Sequence, residues 1–232
     1  MKVLNLGAAF IFVAAAASPY VAAAAPDGHD HHEGHGTAAS ADDAAGHDDH
    51  SDHTGHDHGP PKTSSDYEVS SSAYQIPAVS LTDQYGRSVR LDRLLAEERP
   101  TLVQFIFTSC TTICPVMGAV FGGAQTDIAA LAPDYRMVSI SIDPEYDTPE
   151  RLREFAAKQN ANPEWVLLTG SKEAVMQATK AFDALYQGDN KMYHQPYTFI
   201  RWRTSDDWVR IRGLMSITDL VKEFSDARKE GI

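Results

Sequence analysis

A chain of 232 residues with 43% hydrophobic content can form one packed domain or two small ones. Its formal charge of −12 is unevenly spread: residues 26–59 hold nine acidic residues and no Lys or Arg, whereas residues 60–232 hold 23 acidic and 19 basic, a net of −4. That near balance argues against a nucleic-acid binder, which needs a basic face against the phosphates, and makes the acidity mostly a property of the tail.

Residues 1–25 read as a secretory signal peptide. Lys2 supplies the positive start, Val3 to Ala17 an apolar stretch, Pro19 a helix break, and Ala22 to Ala25 the small residues of a cleavage site. An uncleaved membrane anchor is the alternative, because Val3 to Ala25 carries no charge and is just long enough to span a bilayer. Its second half is mostly alanine, which partitions weakly into lipid, and this favours cleavage. Either way the rest of the chain is expected outside the cytoplasm, in the periplasm of a bacterium, with membrane proximity if the signal stays on.

Residues 26–72 are expected to form a disordered tail and linker. Up to Gly59 the composition is His, Asp, Gly and Ala without a large apolar residue, too little burial to offset chain entropy. Nine of the ten histidines lie here, beside carboxylates, a composition suited to loose binding of Zn, Cu or Ni. A solubilising spacer is the plainer reading.

Residues 73–232 then alternate strand and helix patterns. Ala78–Leu81 and Ser88–Leu91 flank the turn Asp83-Gln84-Tyr85-Gly86, predicting a hairpin. Thr101–Phe107 is a continuous apolar run, the signature of a strand covered on both faces. Helix over 115–131, strand over 136–142, helix over 148–159, strand over 165–168 and helix over 171–186 follow. Strands over 197–203 and 208–212 form a hairpin before a last helix over 216–229. This order predicts an α/β, three-layer, thioredoxin-like fold with a central mixed sheet.

The only two cysteines stand in Phe107-Thr108-Ser109-Cys110-Thr111-Thr112-Ile113-Cys114-Pro115, where the buried strand ends and a helix begins. That is the carboxyl edge at which α/β sheets place their sites. With Pro115 in the first turn, Cys114 is expected beside unpaired N–H groups and the positive end of the helix dipole, a setting that favours thiolate. A small structural disulfide, a redox dithiol with a spacer longer than the usual motif, and a metal clamp for a soft ion such as Cu(I) all fit the pair.

The folded part holds one histidine, His194, in Tyr193-His194-Gln195-Pro196, ahead of the strand expected beside the cysteine-bearing one. From there it could supply a third ligand; a surface-loop histidine without a role is the alternative. A cis Gln195-Pro196 bond packing against the dithiol is a further expectation. Asp143 ends the next strand on the same edge and could orient His194 or a metal-bound water, while Asp147 or Thr148 reads as the helix cap ahead of Pro149, with Asp147 favoured. Met117 and Met192 are candidate thioether ligands or core filler. Arg201, Arg203, Arg210 and Arg212 share a face of the last hairpin by period-two spacing, open to solvent or to an acidic partner.

Taken together, Phe107-Thr108-Ser109-Cys110 through Cys114-Pro115, Ser141-Ile142-Asp143-Pro144-Glu145 with Asp147-Thr148-Pro149-Glu150, Leu168-Thr169-Gly170-Ser171 and His194 give residues 75–230 a pattern that resembles the Sco/SenC proteins. The resemblance implies a thioredoxin-like copper metallochaperone for cytochrome c oxidase assembly, with Cys110, Cys114 and His194 as copper ligands and Asp143 in support. It implies delivery of copper to, or reduction of the cysteines of, the CuA centre of oxidase subunit II, with another periplasmic cuproenzyme as an alternative recipient. A thiol:disulfide oxidoreductase working with a thioredoxin-like reductant is the alternative activity. Tyr193 stands where the family commonly has Asp, and Thr204-Ser205-Asp206-Asp207 replaces its Asp-Pro-x-Gly turn.

Overall fold

The computed structural model describes residues 67–186, 188, 190–203 and 205–232; the expected signal peptide and nearly all of the expected tail lie outside them. Among the described residues eight strands form one sheet: β1 (Glu68–Ala73), β2 (Ser80–Asp83), β3 (Ser88–Arg90), β4 (Thr101–Ile106), β5 (Arg136–Ser141), β6 (Trp165–Thr169), β7 (Tyr197–Arg201) and β8 (Asp207–Arg212). Five helices join them: α1 (Leu91–Leu95), α2 (Ile113–Leu131), α3 (Pro149–Lys158), α4 (Lys172–Ala181) and α5 (Ile217–Glu230). Across the sheet the order is β1-β8-β7-β4-β5-β6-β2-β3. The central β4, β5 and β6 are parallel and the flanking pairings antiparallel, which is the mixed sheet expected.

Every residue of β4 is buried, because helical layers cover both of its faces. Gln104 points to one side, where its amide donates to Ser139 Oγ at 2.8 Å and the Trp165 indole donates to the same oxygen at 2.8 Å. Phe121 of α2 packs on that indole, with ring centroids 5.6 Å apart. Phe105 points to the opposite side by strand alternation and meets Phe182, just past α4. Phe182 is the hub there, also touching Tyr74, Phe199 and Trp208.

The sequence expectation needs amendment in several places, beginning with the strand expected over Ser88–Leu91, which ends at Arg90 where α1 starts. The linker expected up to residue 72 gives way to β1, whose six exposed residues pair antiparallel with β8. Its strand character comes from backbone pairing, which the polar Ser70-Ser71-Ser72 run does not advertise. The helix expected over 171–186 stops at Ala181, and Asp183 takes a positive φ of 50° as the chain turns to bury Phe182. The four arginines do not form one solvated face, although Arg203 and Arg212 are exposed and pair with Asp134 and Glu68. Arg201 is buried over the Trp208 ring and donates to the Glu97 carbonyl, Arg210 lies 4.4 Å from the Tyr197 ring centroid, and Arg203 leaves the strand at φ 56°.

Candidate metal centre

Parallel pairing of β4 with β5, register Ile106 against Ser141, brings the carboxyl ends of both strands to one edge. Antiparallel pairing with β7, register Gln104 against Thr198, brings the residues just before β7 to the same edge. Cys110 and Cys114, Asp143 and Asp147, and His194 therefore gather at one end of the sheet, as the spacing requires.

Helix α2 begins at Ile113, two residues ahead of expectation, and its N-cap Thr112 makes no side-chain cap. Cys110 fills that role: its sulfur accepts the Cys114 backbone N–H at 3.4 Å and lies 3.6 Å from Thr112 Oγ1. This inverts the expected division between the two thiols. Burial works against ionisation of Cys110, but the N–H groups of Cys114 and Thr112 and the Thr112 hydroxyl outweigh it and lower its pKa. Cys114 is fully buried, and burial pushes its pKa well above the ordinary thiol range. Both cysteines are free thiols.

His194 follows a single 3-10 turn, Lys191–Tyr193, that is capped by the Asn190 side chain. It is 2% exposed, and among the described residues neither ring nitrogen has a hydrogen-bond partner. Burial drives its pKa down to about 4, so the ring is neutral with a lone pair free to coordinate. A buried imidazole without partners departs from the rule that interior polar groups are satisfied. Among the described residues no three His, Cys, Asp or Glu side chains converge closely enough to hold one ion, so His194 shares the edge with the thiols without closing a site on them. Every peptide bond there is trans, including Gln195-Pro196, which removes the expected cis bond.

Asp143 does not orient His194; it pairs with Lys191, whose ammonium lies 5.4 Å from the Phe107 ring centroid. Beside this pair opens a cleft of about 690 Å³, walled by Val175, Met176, Leu185 and Tyr186. Of the two thioether candidates, Met117 is buried in the core side of α2 and Met192 is exposed.

Of the two cap candidates, Thr148 and not the favoured Asp147 takes the role. Thr148 caps α3, accepting from Arg151 N, whereas Asp147 is fully buried and accepts from Thr108 and Ser141. The signal available in the sequence was Thr148-Pro149, where the threonine alone suffices as a cap, leaving the aspartate free for another use.

Comparison with known proteins fits this geometry. The SCO1/SenC family model matches residues 69–204. The SCO1 protein homolog of Bacillus subtilis is 35% identical over 128 residues, covering 53% of this chain and 65% of the relative, so the chain spans just under two thirds of that protein's length. The human mitochondrial SCO1 homolog is 32% identical over 98 residues, covering 41% of this chain and 32% of the relative. Among solved structures, BsSco, a Sco family cytochrome c oxidase assembly protein with an identified disulfide switch, superposes with a TM-score of 0.56 at 29% identity over 67% of this chain and 94% of its own. Copper-bound ScoI of Arabidopsis thaliana gives 0.55 at 21% identity over 65% of this chain and 96% of its own, a likeness of fold.

Proposed function

Because the chain belongs to the SCO1/SenC family, we propose that it is an exported copper metallochaperone whose cargo is held by the Cys110 and Cys114 thiolates and the His194 imidazole. The observation that carries this reading is His194: a neutral, buried ring whose nitrogens find no partner among the described residues, at the sheet edge that also presents the only two cysteines. Two thiolates and an imidazole make a soft donor set suited to Cu(I), and thiolate–imidazole sets also accommodate Cu(II). Closing the site requires the segment around Lys191–Tyr193 to carry the ring toward the sulfurs.

Copper reaches the CuA centre of oxidase subunit II in this proposal, with another periplasmic cuproenzyme as the alternative recipient. The link of BsSco to oxidase assembly supports the first. Copper titration against a competing chelator tests the site. Cys110→Ser, Cys114→Ser and His194→Ala should each weaken binding by about tenfold or more, ~1.4 kcal/mol. Unchanged affinity in His194→Ala would remove the three-ligand site.

A thiol:disulfide role is the second reading, favoured by the unequal thiols and by the disulfide switch of BsSco. It predicts turnover of a disulfide substrate, with a thioredoxin-like reductant, that survives His194→Ala.

A further inference from the structure

Asp147 stands at the joint of three elements. Its backbone N–H donates to the Asp143 carbonyl at 2.8 Å, closing the turn after β5, and the next residue caps α3. Its carboxylate is fully buried and accepts from the Ser141 hydroxyl at 2.6 Å, from the Thr108 backbone N–H at 3.1 Å and from the Thr108 hydroxyl. Hydrogen bonds into a buried carboxylate are among the stronger ones, and losing this acceptor leaves three donors stranded.

What the carboxylate grips is the start of the cysteine loop. Thr108 is held by both its backbone and its side chain, two residues before Cys110. The neighbouring Phe107 carbonyl accepts from Cys110 N at 3.2 Å, and Cys110 Sγ in turn accepts from Cys114 N. A contiguous set of bonds thus runs from Asp147 through Thr108 and Phe107 to the first sulfur.

We propose that Asp147 is a positioning residue for the metal-binding pair: it fixes the Thr108–Cys110 segment so that the Cys110 sulfur sits at the open N-terminus of α2. This rests on reading Cys110 and Cys114 as the working thiols. Asp143, which sequence spacing favours for a supporting role, is instead engaged with Lys191 and holds no part of the cysteine loop.

The test uses the full chain, reduced and metal-free, carrying Asp147→Ala, Asp147→Asn, Thr108→Val or Ser141→Ala. Alkylation rates of Cys110 and Cys114 by iodoacetamide at one fixed pH are resolved by peptide mass spectrometry, and Cu(I) affinity is measured by chelator competition. In Asp147→Ala the ratio of Cys110 to Cys114 rates should fall by about threefold or more and Cu(I) affinity by about tenfold. Thr108→Val, which keeps the backbone N–H, should show a smaller change in the same direction. Asp147→Asn retains an accepting oxygen and should recover part of the loss. The affinity factor should be the same in a His194→Ala background, since the aspartate acts on the thiols.

A lowered melting temperature with a wild-type alkylation ratio would overturn the proposal and leave Asp147 a scaffold residue. Should Asp147→Ala fail to fold, Thr108→Val decides by the same ratio. A wild-type chain that binds no Cu(I) would sink the copper reading, while the metal-free alkylation result would still judge this one.

Discussion

An imidazole buried without a partner makes the folded state sensitive to acid. The folded pKa of His194, about 4, lies below the ordinary 6.5, so as pH falls through 6.5 the unfolded chain takes up a proton that the folded chain refuses. Stability is therefore complete above that pH and declines until protonation of the folded form near pH 4, a loss of up to about 3 kcal/mol from this group. Urea unfolding across that range should show the decline, and His194→Phe should flatten it; an equal slope in both proteins would mean that the ring is protonated in the fold. The same residue shows what a sequence discloses. Its isolation as the single histidine of residues 73–232 was plain, and its place beside the thiol edge followed from strand order. Its missing partners did not, because satisfaction of a nitrogen depends on which side chains tertiary packing brings near. The inverted thiols carry the same lesson: a two-residue shift in the start of α2 gives the helix-end N–H to Cys110 and the dry interior to Cys114.

At the scale of elements, α2 is a helix that glycine allows to lie close against its neighbours. A Cβ on Gly122 would stand 2.3 Å from the Gln159 carbonyl oxygen, a backbone atom just past α3. On Gly123 it would meet the end of the Ile217 side chain, also at 2.3 Å, which can rotate away. Gly122→Ala should therefore destabilise the domain by roughly 1–3 kcal/mol despite the helix propensity gained, while Gly123→Ala should cost clearly less. Chemical denaturation of the two variants checks the order, and equal losses would show that α3 yields as easily as a side chain. The helix itself was legible in the sequence, as were β4, β5, α3 and α5. The short α1 and the polar β1 were not, for their stability comes from neighbours: β1 lies along β8, and the Tyr67 hydroxyl just before it donates to Glu223 of α5 at 2.9 Å.

At the scale of the molecule, sheet and helices close around an aromatic centre on the face opposite α2. Phe182 touches four other rings, with the nearest centroid, that of Phe199, at 4.9 Å. Phe182→Ala should cost about 3–5 kcal/mol and lower the melting temperature accordingly, with Cys110 alkylation in the folded fraction unchanged because the thiols lie at the sheet edge. Deleting residues 26–59 should reduce the number of Cu or Zn ions bound per chain yet leave the tightest Cu(I) affinity intact, if tail histidines collect metal loosely and the folded domain holds it. Isothermal titration of both proteins distinguishes this from a chain whose entire capacity resides in the tail. The architecture was readable as alternating strand and helix; the crossing point of the aromatic side chains was not, since Tyr74, Phe105, Phe182, Phe199 and Trp208 are scattered along the sequence.

The outermost strand has one more consequence. β1 shows solvent only a glutamate, a valine, three serines and an alanine. An incoming strand from another copy would have to dehydrate hydroxyls and a carboxylate with little apolar surface to compensate. The opposite rim, β3, spans just Ser88 to Arg90 and offers too short a template. Both margins of the sheet thus discourage edge-to-edge pairing with another copy.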